Sequence, residues 1–370
     1  MKSYLLKLGI SIITASCFVT PSNACTGITL RANDGAVVFG RTMEWGTFDL
    51  NSRLVLIPRG YEIQSKIGDG EPGLTWKTIW GTVGLDAIEK DFLLDGMNEK
   101  GLSINAFYHP GFAKYPEVNP DRQPKTIEAV DIVQFLLTTC KNIEEVRKAM
   151  LELYVIGTVE PAIGIAPPIH FIATDSSGKA IIVEFVDNEV QLFEAPLGCI
   201  TNAPAYDWHL TNLRNYLNLS HVALPAKRIE NMDFAPLGGG SGMIGLPGDN
   251  TPPSRFVRAV AATQTARQTE TGEETMYELF RILDNFNLPL GSAEGGGEAS
   301  SDNMRSSTIW TTGYDTRNLV MQYHTMHNRR IRQIDLKKID FTAFSEPIRI
   351  ALDAAKTQDI DDVTPIISSP

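Results

Sequence analysis

From Cys25 the chain reads CTGITLR, then Ala32-Asn33-Asp34-Gly35, then AVVFGR. This is a short apolar-rich strand, a turn of residues that accept positive φ, and a strand returning beside the first. The pattern recurs. Ile169–Thr174, the turn Asp175-Ser176-Ser177-Gly178 and Ala180–Val186 predict a second hairpin, continued by Val190–Glu194. Leu54–Pro58, Leu102–Tyr108, Thr308–Thr312, Asn318–Tyr323 and Arg330–Ile334 read as further strands. Helical spacing covers Ile127, Val130, Val133, Phe135 and Leu136, and Asn142 with Glu145 forms a capping pair for a second helix. Tyr206–Leu217, Arg255–Arg267 and Glu274–Leu283 complete the helices. Strand pairs separated by helix pairs, without β-α-β alternation, predict an α+β fold of stacked antiparallel sheets.

The 24 residues before Cys25 differ from the rest. Lys2 and Lys7 open a positive start, Leu8–Val19 is mostly apolar, and Pro21-Ser22-Asn23-Ala24 places small residues before Cys25. That is the layout of a secretory signal peptide with cleavage after Ala24, so the expected product is exported, to the periplasm or beyond. The apolar run is short for a membrane span, and Ser22-Asn23 makes a poor lipid-attachment site. The remaining 25–370 shows no internal repeat or linker and reads as a single domain.

A formal charge of −11, with no run of like charges, argues against nucleic-acid binding. Gly238-Gly239-Gly240-Ser241-Gly242 lacks the Lys-Ser/Thr of a phosphate loop and reads as a plain loop, as does Gly291–Ser301. His109, His209, His324 and His327 show no metal-ligand spacing, so neither metal nor cofactor is expected.

Cleavage after Ala24 would leave Cys25 with a nucleophilic thiol and a free α-amine, the latter titrating near neutral pH. One residue then supplies both nucleophile and proton carrier for amide cleavage, with no catalytic histidine required. A small buried cysteine at the start of a strand is the alternative on position alone. Cys140 lies in an apolar helix and Cys199 in an apolar strand, and both read as inert buried thiols. A Cys–His peptidase built from either with His209 finds no support in the residues around them.

Four ordered blocks carry a resemblance. They are Cys25-Thr26-Gly27 with Phe39-Gly40-Arg41-Thr42-Met43-Glu44-Trp45; Gly96-Met97-Asn98-Glu99-Lys100-Gly101-Leu102; Thr201-Asn202-Ala203-Pro204 with Tyr206-Asp207-Trp208; and Pro253-Ser254-Arg255-Phe256-Val257-Arg258-Ala259. Over residues 25–340 the sequence resembles the choloylglycine hydrolase family of conjugated bile salt hydrolases and penicillin V acylases. The resemblance implies a four-layer αββα N-terminal-nucleophile hydrolase fold and cleavage of the linear C–N amide bond of small N-acyl substrates through a thioester.

It also implies roles. Cys25 is the nucleophile and Arg41 the cation that favours its thiolate. Glu44 stands where many members carry Asp and would accept from the α-amine. Asn202 would donate to the oxyanion from its side chain and Tyr108 from its backbone N–H. Arg255 would pair with the catalytic centre or a product carboxylate, and Trp45 would wall the acyl pocket. Tyr108 aligns with a position that tends to be Tyr in penicillin V acylases and Asn in bile salt hydrolases. N-acyl homoserine lactones, accepted by some relatives, are a third substrate class. A non-catalytic exported binding protein on the same fold is the reading of a different kind. Relatives are often homotetramers held partly by an insertion, here Asn215–Asn250.

Overall fold

The first hairpin forms where its turn chemistry places it. In the structure, a computed structural model describing residues 24–68, 70–292 and 304–364, β1 (Thr26–Arg31) and β2 (Val37–Glu44) pair antiparallel, Gly27 opposite Arg41 and Thr26 opposite Thr42. Gly35 takes φ 85° in the turn, a conformation that glycine adopts without a Cβ clash. Strand β2 runs past the predicted Arg41 to Glu44 because a second strand, from Thr308 to Asp315, pairs along its other edge. The expected signal segment with Cys17, and residues 293–301 of the second Gly-rich loop, lie outside the described residues.

Two antiparallel sheets build the body. The remaining strands in chain order are β3 (Arg53–Ile57), β4 (Thr82–Ala87), β5 (Lys90–Asn98), β6 (Ser103–Tyr108), β7 (Ile169–Thr174), β8 (Ala180–Val186), β9 (Glu189–Glu194), β10 (Thr308–Asp315), β11 (Val320–Thr325), β12 (Arg332–Asp335) and β13 (Ile348–Ala351). One sheet has the order β1-β2-β10-β11-β12, the other β9-β8-β7-β6-β5-β4-β3-β13. Helices α4 (Pro252–Thr265) and α5 (Gly272–Leu283) lie on the five-stranded sheet. Helices α1 (Ile132–Thr139) and α2 (Ile143–Glu152) cover the eight-stranded one, and the short α3 (Tyr206–Leu213) packs beside α4. The layers are therefore helix, sheet, sheet, helix, the αββα arrangement that the resemblance implies.

The period-2 alternation of β2 decides what faces where. Phe39, Arg41 and Met43 point between the sheets, where Phe39 meets Phe107 and Ile200 around Gly27. Gly40, Thr42 and Glu44 point to the helix side, and α5 approaches Gly40 so closely that a Cβ there would lie 2.5 Å from Leu279 Cδ2. A second core under the eight-stranded sheet joins Ile104, Phe171, Ile181 and Val183 to Leu136, Leu137, Val146 and Met150.

Several elements differ from their predicted form. Ile127 is not helical: Thr126–Glu128 pairs in parallel with Tyr154–Ile156, and the helix starts only at Ile132. Tyr206–Leu217 is α-helical only to Leu213, then tightens to a 3₁₀ turn. Cys199 sits on a buried irregular segment whose next residue, Ile200, bridges Gly27. Strands β4 and β5, the edge strand β13, and the two-stranded ribbon of Glu62–Ile67 with Glu71–Lys77 were not anticipated. No described helix is long and apolar enough to cross a membrane.

Candidate active site

Cys25 lies immediately before β1, opposite Met43, with its Sγ 3.8 Å from Met43 Sδ. In the full chain its nitrogen is the amide shared with Ala24, and both residues are buried. Burial pushes the thiol up; the charges of Arg41 and Arg255 and the Glu44 N–H pull it back, while the Glu44 carboxylate adds to the rise. Desolvation thus outweighs the expected lowering by Arg41.

Arg41 is no surface strand residue. It is wholly buried, its guanidinium 4.3 Å from the Phe107 ring centroid and 5.2 Å from that of Trp310. It donates to the Ala106 carbonyl and, at 3.5 Å, contacts Met43 Sδ. Beneath it Asp95, on β5, accepts from Thr312 Oγ1 at 2.8 Å. Burial raises the Asp95 carboxyl to about 6, and the Arg41 charge opposes that rise. The sequence reading missed this acid, although it directly precedes the Gly96 block.

On the helix side of β2, Glu44 accepts from Thr42 Oγ1 at 3.0 Å and from Thr308 Oγ1 at 2.7 Å. Burial lifts its carboxyl to about 7 against the pull of Arg255 and the two hydroxyls. Arg255, in the first turns of α4, crosses to Cys25. It donates to the Cys25 carbonyl, to Thr26 Oγ1 at 2.9 Å, to Asn202 Oδ1 at 2.8 Å and to the Asn250 carbonyl at 2.9 Å. So occupied, it ties Cys25, Asn202 and the start of α4 together. Burial lowers it to about 10, leaving it cationic at neutral pH.

Because Arg255 holds Oδ1, the Asn202 amide can only present its NH₂ group on the other side. One of those N–H bonds goes to the Tyr108 carbonyl at 2.7 Å, and the second remains as a donor. Tyr108 ends β6. His109 N donates to Pro168 O, and Tyr108 itself stands opposite Ile169. Hydrogen-bonded and non-hydrogen-bonded pairs alternate in such a ladder, which directs the Tyr108 N–H away from β7. On that other side β5 pairs with β6 only as far as Asn105. Cys25, Arg41, Glu44, Tyr108, Asn202 and Arg255 are thus all gathered at one end of the two sheets.

An apolar pocket opens on Cys25, lined by Met43, Trp45, Leu50, Ile88, Phe92, Leu94, Tyr108, Ile163 and Ile169 among others. Trp45 is largely buried and meets Tyr108 edge to face at 5.9 Å between centroids, so it is both core and pocket wall. The Lys90–Glu160 ion pair, 2.6 Å, borders this apolar lining.

Burial pushes the Cys140 thiol up to about 11 and the Cys199 thiol up to about 12, in keeping with their reading as inert groups. Among the described residues His109, His170 and Glu184 bring potential ligand atoms within 4.8 Å of one another. Their two imidazoles are stacked, 4.1 Å apart and 4° from parallel. An ion in the plane of one ring would lie well out of the plane of the other, which does not fit metal ligation. His170 and Glu184 had not been singled out, since their approach depends on the register of β7 with β8.

This fold and site are those of an amide hydrolase, and comparison with known proteins agrees. The family described as linear amide C–N hydrolases, choloylglycine hydrolase family, matches residues 25–353, and the chain belongs to it. It is 30% identical over 317 residues to the bile salt hydrolase/transferase of Clostridium perfringens, covering 85% of this chain and 93% of that one. It is 24% identical over 363 residues to the penicillin V acylase of Pectobacterium atrosepticum, covering 92% and 88%. A crystal structure of the conjugated bile acid hydrolase from Clostridium perfringens superposes with a TM-score of 0.78 at 26% identity, over 92% of this chain and all of that one. The protein is a hydrolase of linear amide C–N bonds.

Proposed function

We propose that removal of residues 1–24 frees Cys25 as an N-terminal nucleophile that hydrolyses small N-acyl amides carrying an apolar acyl group. The convergence of Arg41, Asn202 and Arg255 on Cys25 at the mouth of an apolar pocket carries this reading. The thiol adds to the substrate carbonyl, its proton passing through the Cys25 α-amine to the departing amine. The oxyanion takes hydrogen bonds from the free Asn202 N–H and the Tyr108 N–H. Collapse of the intermediate breaks the C–N bond and leaves a thioester, which water then hydrolyses to the acid and the thiol. A binding protein that never turns over would have no use for this set of groups around a thiol.

For the acyl group, Tyr108 at the pocket wall and its edge-to-face contact with Trp45 favour an aromatic acyl such as that of penicillin V. The aliphatic lining from Leu50, Ile88, Leu94, Ile163 and Ile169 suits the alkyl chain of an N-acyl homoserine lactone and is the second reading. Conjugated bile acids are the third. Amine release by the processed protein, with a Cys25→Ala control, is measured on penicillin V, glycocholate, taurocholate and an acyl homoserine lactone. Preferred turnover of penicillin V supports the Tyr108 reading; preferred bile-salt turnover overturns it. Turnover undiminished in the Cys25→Ala variant would falsify the nucleophile assignment.

The same reading places the protein outside the cytoplasm, in the periplasm or secreted. Its check is the intact mass of the exported protein, which begins at Cys25 if cleavage follows Ala24. It also assembles as a homotetramer. Residues 215–250 carry a small ribbon, Lys227–Ile229 with Met232–Phe234, and expose Leu217, Val222, Met232, Leu237 and Ile244. Exposed side chains of this kind are expected to bury against partner subunits.

A further inference from the structure

Asn202 can donate to an oxyanion only if its backbone is held still, yet Thr201–Ala205 belongs to no helix or strand. Buried carbonyls in such a segment need donors from elsewhere. Two imidazoles supply them. His170 Nε2, from β7, lies 3.0 Å from the Thr201 carbonyl, and His209 Nε2, from α3, lies 3.0 Å from the Asn202 carbonyl. A carbonyl only accepts, so both histidines must carry their proton on Nε2.

That assignment has a consequence for His170. Its Nδ1 faces Glu184 Oε1 at 3.2 Å, and the same oxygen accepts the Tyr206 N–H at 2.9 Å. With Nε2 protonated, a neutral His170 presents a bare Nδ1, and a carboxylate would meet it with a second lone pair. One proton must therefore lie between Oε1 and Nδ1, on either atom. Through Tyr206 N the same oxygen also caps α3, whose Ala205 has no side chain to do so. His209 is stacked on Phe256 at 4.8 Å, and His170 is stacked under His109.

We propose that Glu184, His170 and His209 are positioning residues that grip the Thr201 and Asn202 carbonyls and so aim the Asn202 amide at the oxyanion. This rests on the hydrolysis reading above. It is a role for buried groups that the catalytic set does not use, each reaching the chemistry only through Asn202. The ionisable groups facing the cluster are His109 on one side, Asp207 and Tyr206 of α3, Cys199, and Arg255 of α4. Burial holds His170 down to about 3 and keeps Glu184 above the ordinary carboxylate range, consistent with a neutral, proton-sharing pair.

Two arms test it. In the first, ¹⁵N-histidine NMR of the processed protein reads the tautomers directly. Both His170 and His209 are expected as Nε2–H from pH 5 to 8, and an Nδ1–H tautomer in either overturns the network. In the second, His209→Phe keeps the ring against Phe256 and removes the donor. The expected result is a loss of about ten- to a hundredfold in kcat with KM changed less than about threefold. His209→Gln, which restores an N–H, should recover most of that loss. Glu184→Gln should behave like His209→Phe, because no single amide atom can both donate to Nδ1 and accept from Tyr206 N. The rate of Cys25 alkylation should be unchanged throughout. An unaltered kcat, or kcat and alkylation falling together, overturns the positioning role. A wild-type protein inactive on every substrate would instead sink the hydrolysis reading and leave the NMR arm to judge the network.

Discussion

At the scale of single residues, the site works by crossing constraints. Arg255 pins the oxygen of the Asn202 amide and the Tyr108 carbonyl takes one of its protons, leaving one donor with no freedom to flip. Asn202→Ala should therefore cost about a hundred- to a thousandfold in kcat while leaving thiol labelling intact; a loss confined to KM would mean that Asn202 only binds substrate. Glu44 makes a prediction about pH in the uncleaved chain. Its folded value of about 7 lies above its ordinary 4.5, so the folded chain holds the proton more tightly than the unfolded one. That contribution is complete below about pH 4.5 and is lost as pH rises through about 7. The buried histidines His109, His170 and His324, held to about 3, 3 and 4, work the other way and make stability rise with pH up to about 6.5. The Glu44 part is therefore read as a difference: urea unfolding of wild type against Glu44→Gln should show a wild-type excess that falls between about pH 4.5 and 7. Asp95 and Asp131, each raised to about 6 by burial, leave a residual slope. An unchanged slope in the variant would show that Glu44 is already ionised when folded.

At the scale of elements, the alternation of β2 between two environments does most of the organising. Its inward residues place Arg41 beside Cys25, and its outward residues admit helix α5. Gly40 is where the second task is tightest, since a Cβ there would meet both Leu279 Cδ2 at 2.5 Å and the Thr312 carbonyl at 2.7 Å. Gly40→Ala should destabilise by about 1–3 kcal/mol through overpacking, read as a lower urea midpoint at an unchanged slope. A stability equal to wild type would show that α5 can shift outward at no cost. Element reading from sequence succeeded where the signal was local. The Asn33-Asp34-Gly35 turn, the Asn142 cap and the β7–β8 hairpin all form as expected. It failed at Ile127, whose helical spacing is overridden by pairing with Val155, a partner 28 positions away.

At the scale of the whole molecule, eight of the exposed large apolar side chains among the described residues fall close together in sequence, between Leu217 and Ile244. Leu237 is fully exposed and Leu217 is 80% exposed. If they are buried between subunits, Leu217→Ser with Leu237→Ser should dissociate the tetramer, as measured by light scattering, while each subunit keeps its fold. A wild-type protein that is monomeric at micromolar concentration would overturn the assembly.

The sequence by itself determined the class of fold and most of the residues that gather at the candidate site. Turn residues and hydrophobic alternation are local properties, and Cys25, Arg41, Glu44, Asn202 and Arg255 lie inside contiguous blocks that can be read as strings. Only the tertiary structure decided how those residues are held. Asp95 lies near Arg41, Thr308 holds Glu44, and Glu184 and His170 meet beside the irregular segment that carries Asn202, through contacts that span from 14 to 264 positions. Such partners carry no pattern of their own in the sequence. They come within reach because two sheets stack and their registers lock. The same stacking removes water, so burial sets the protonation of the groups at the site more strongly than their neighbours in the chain do.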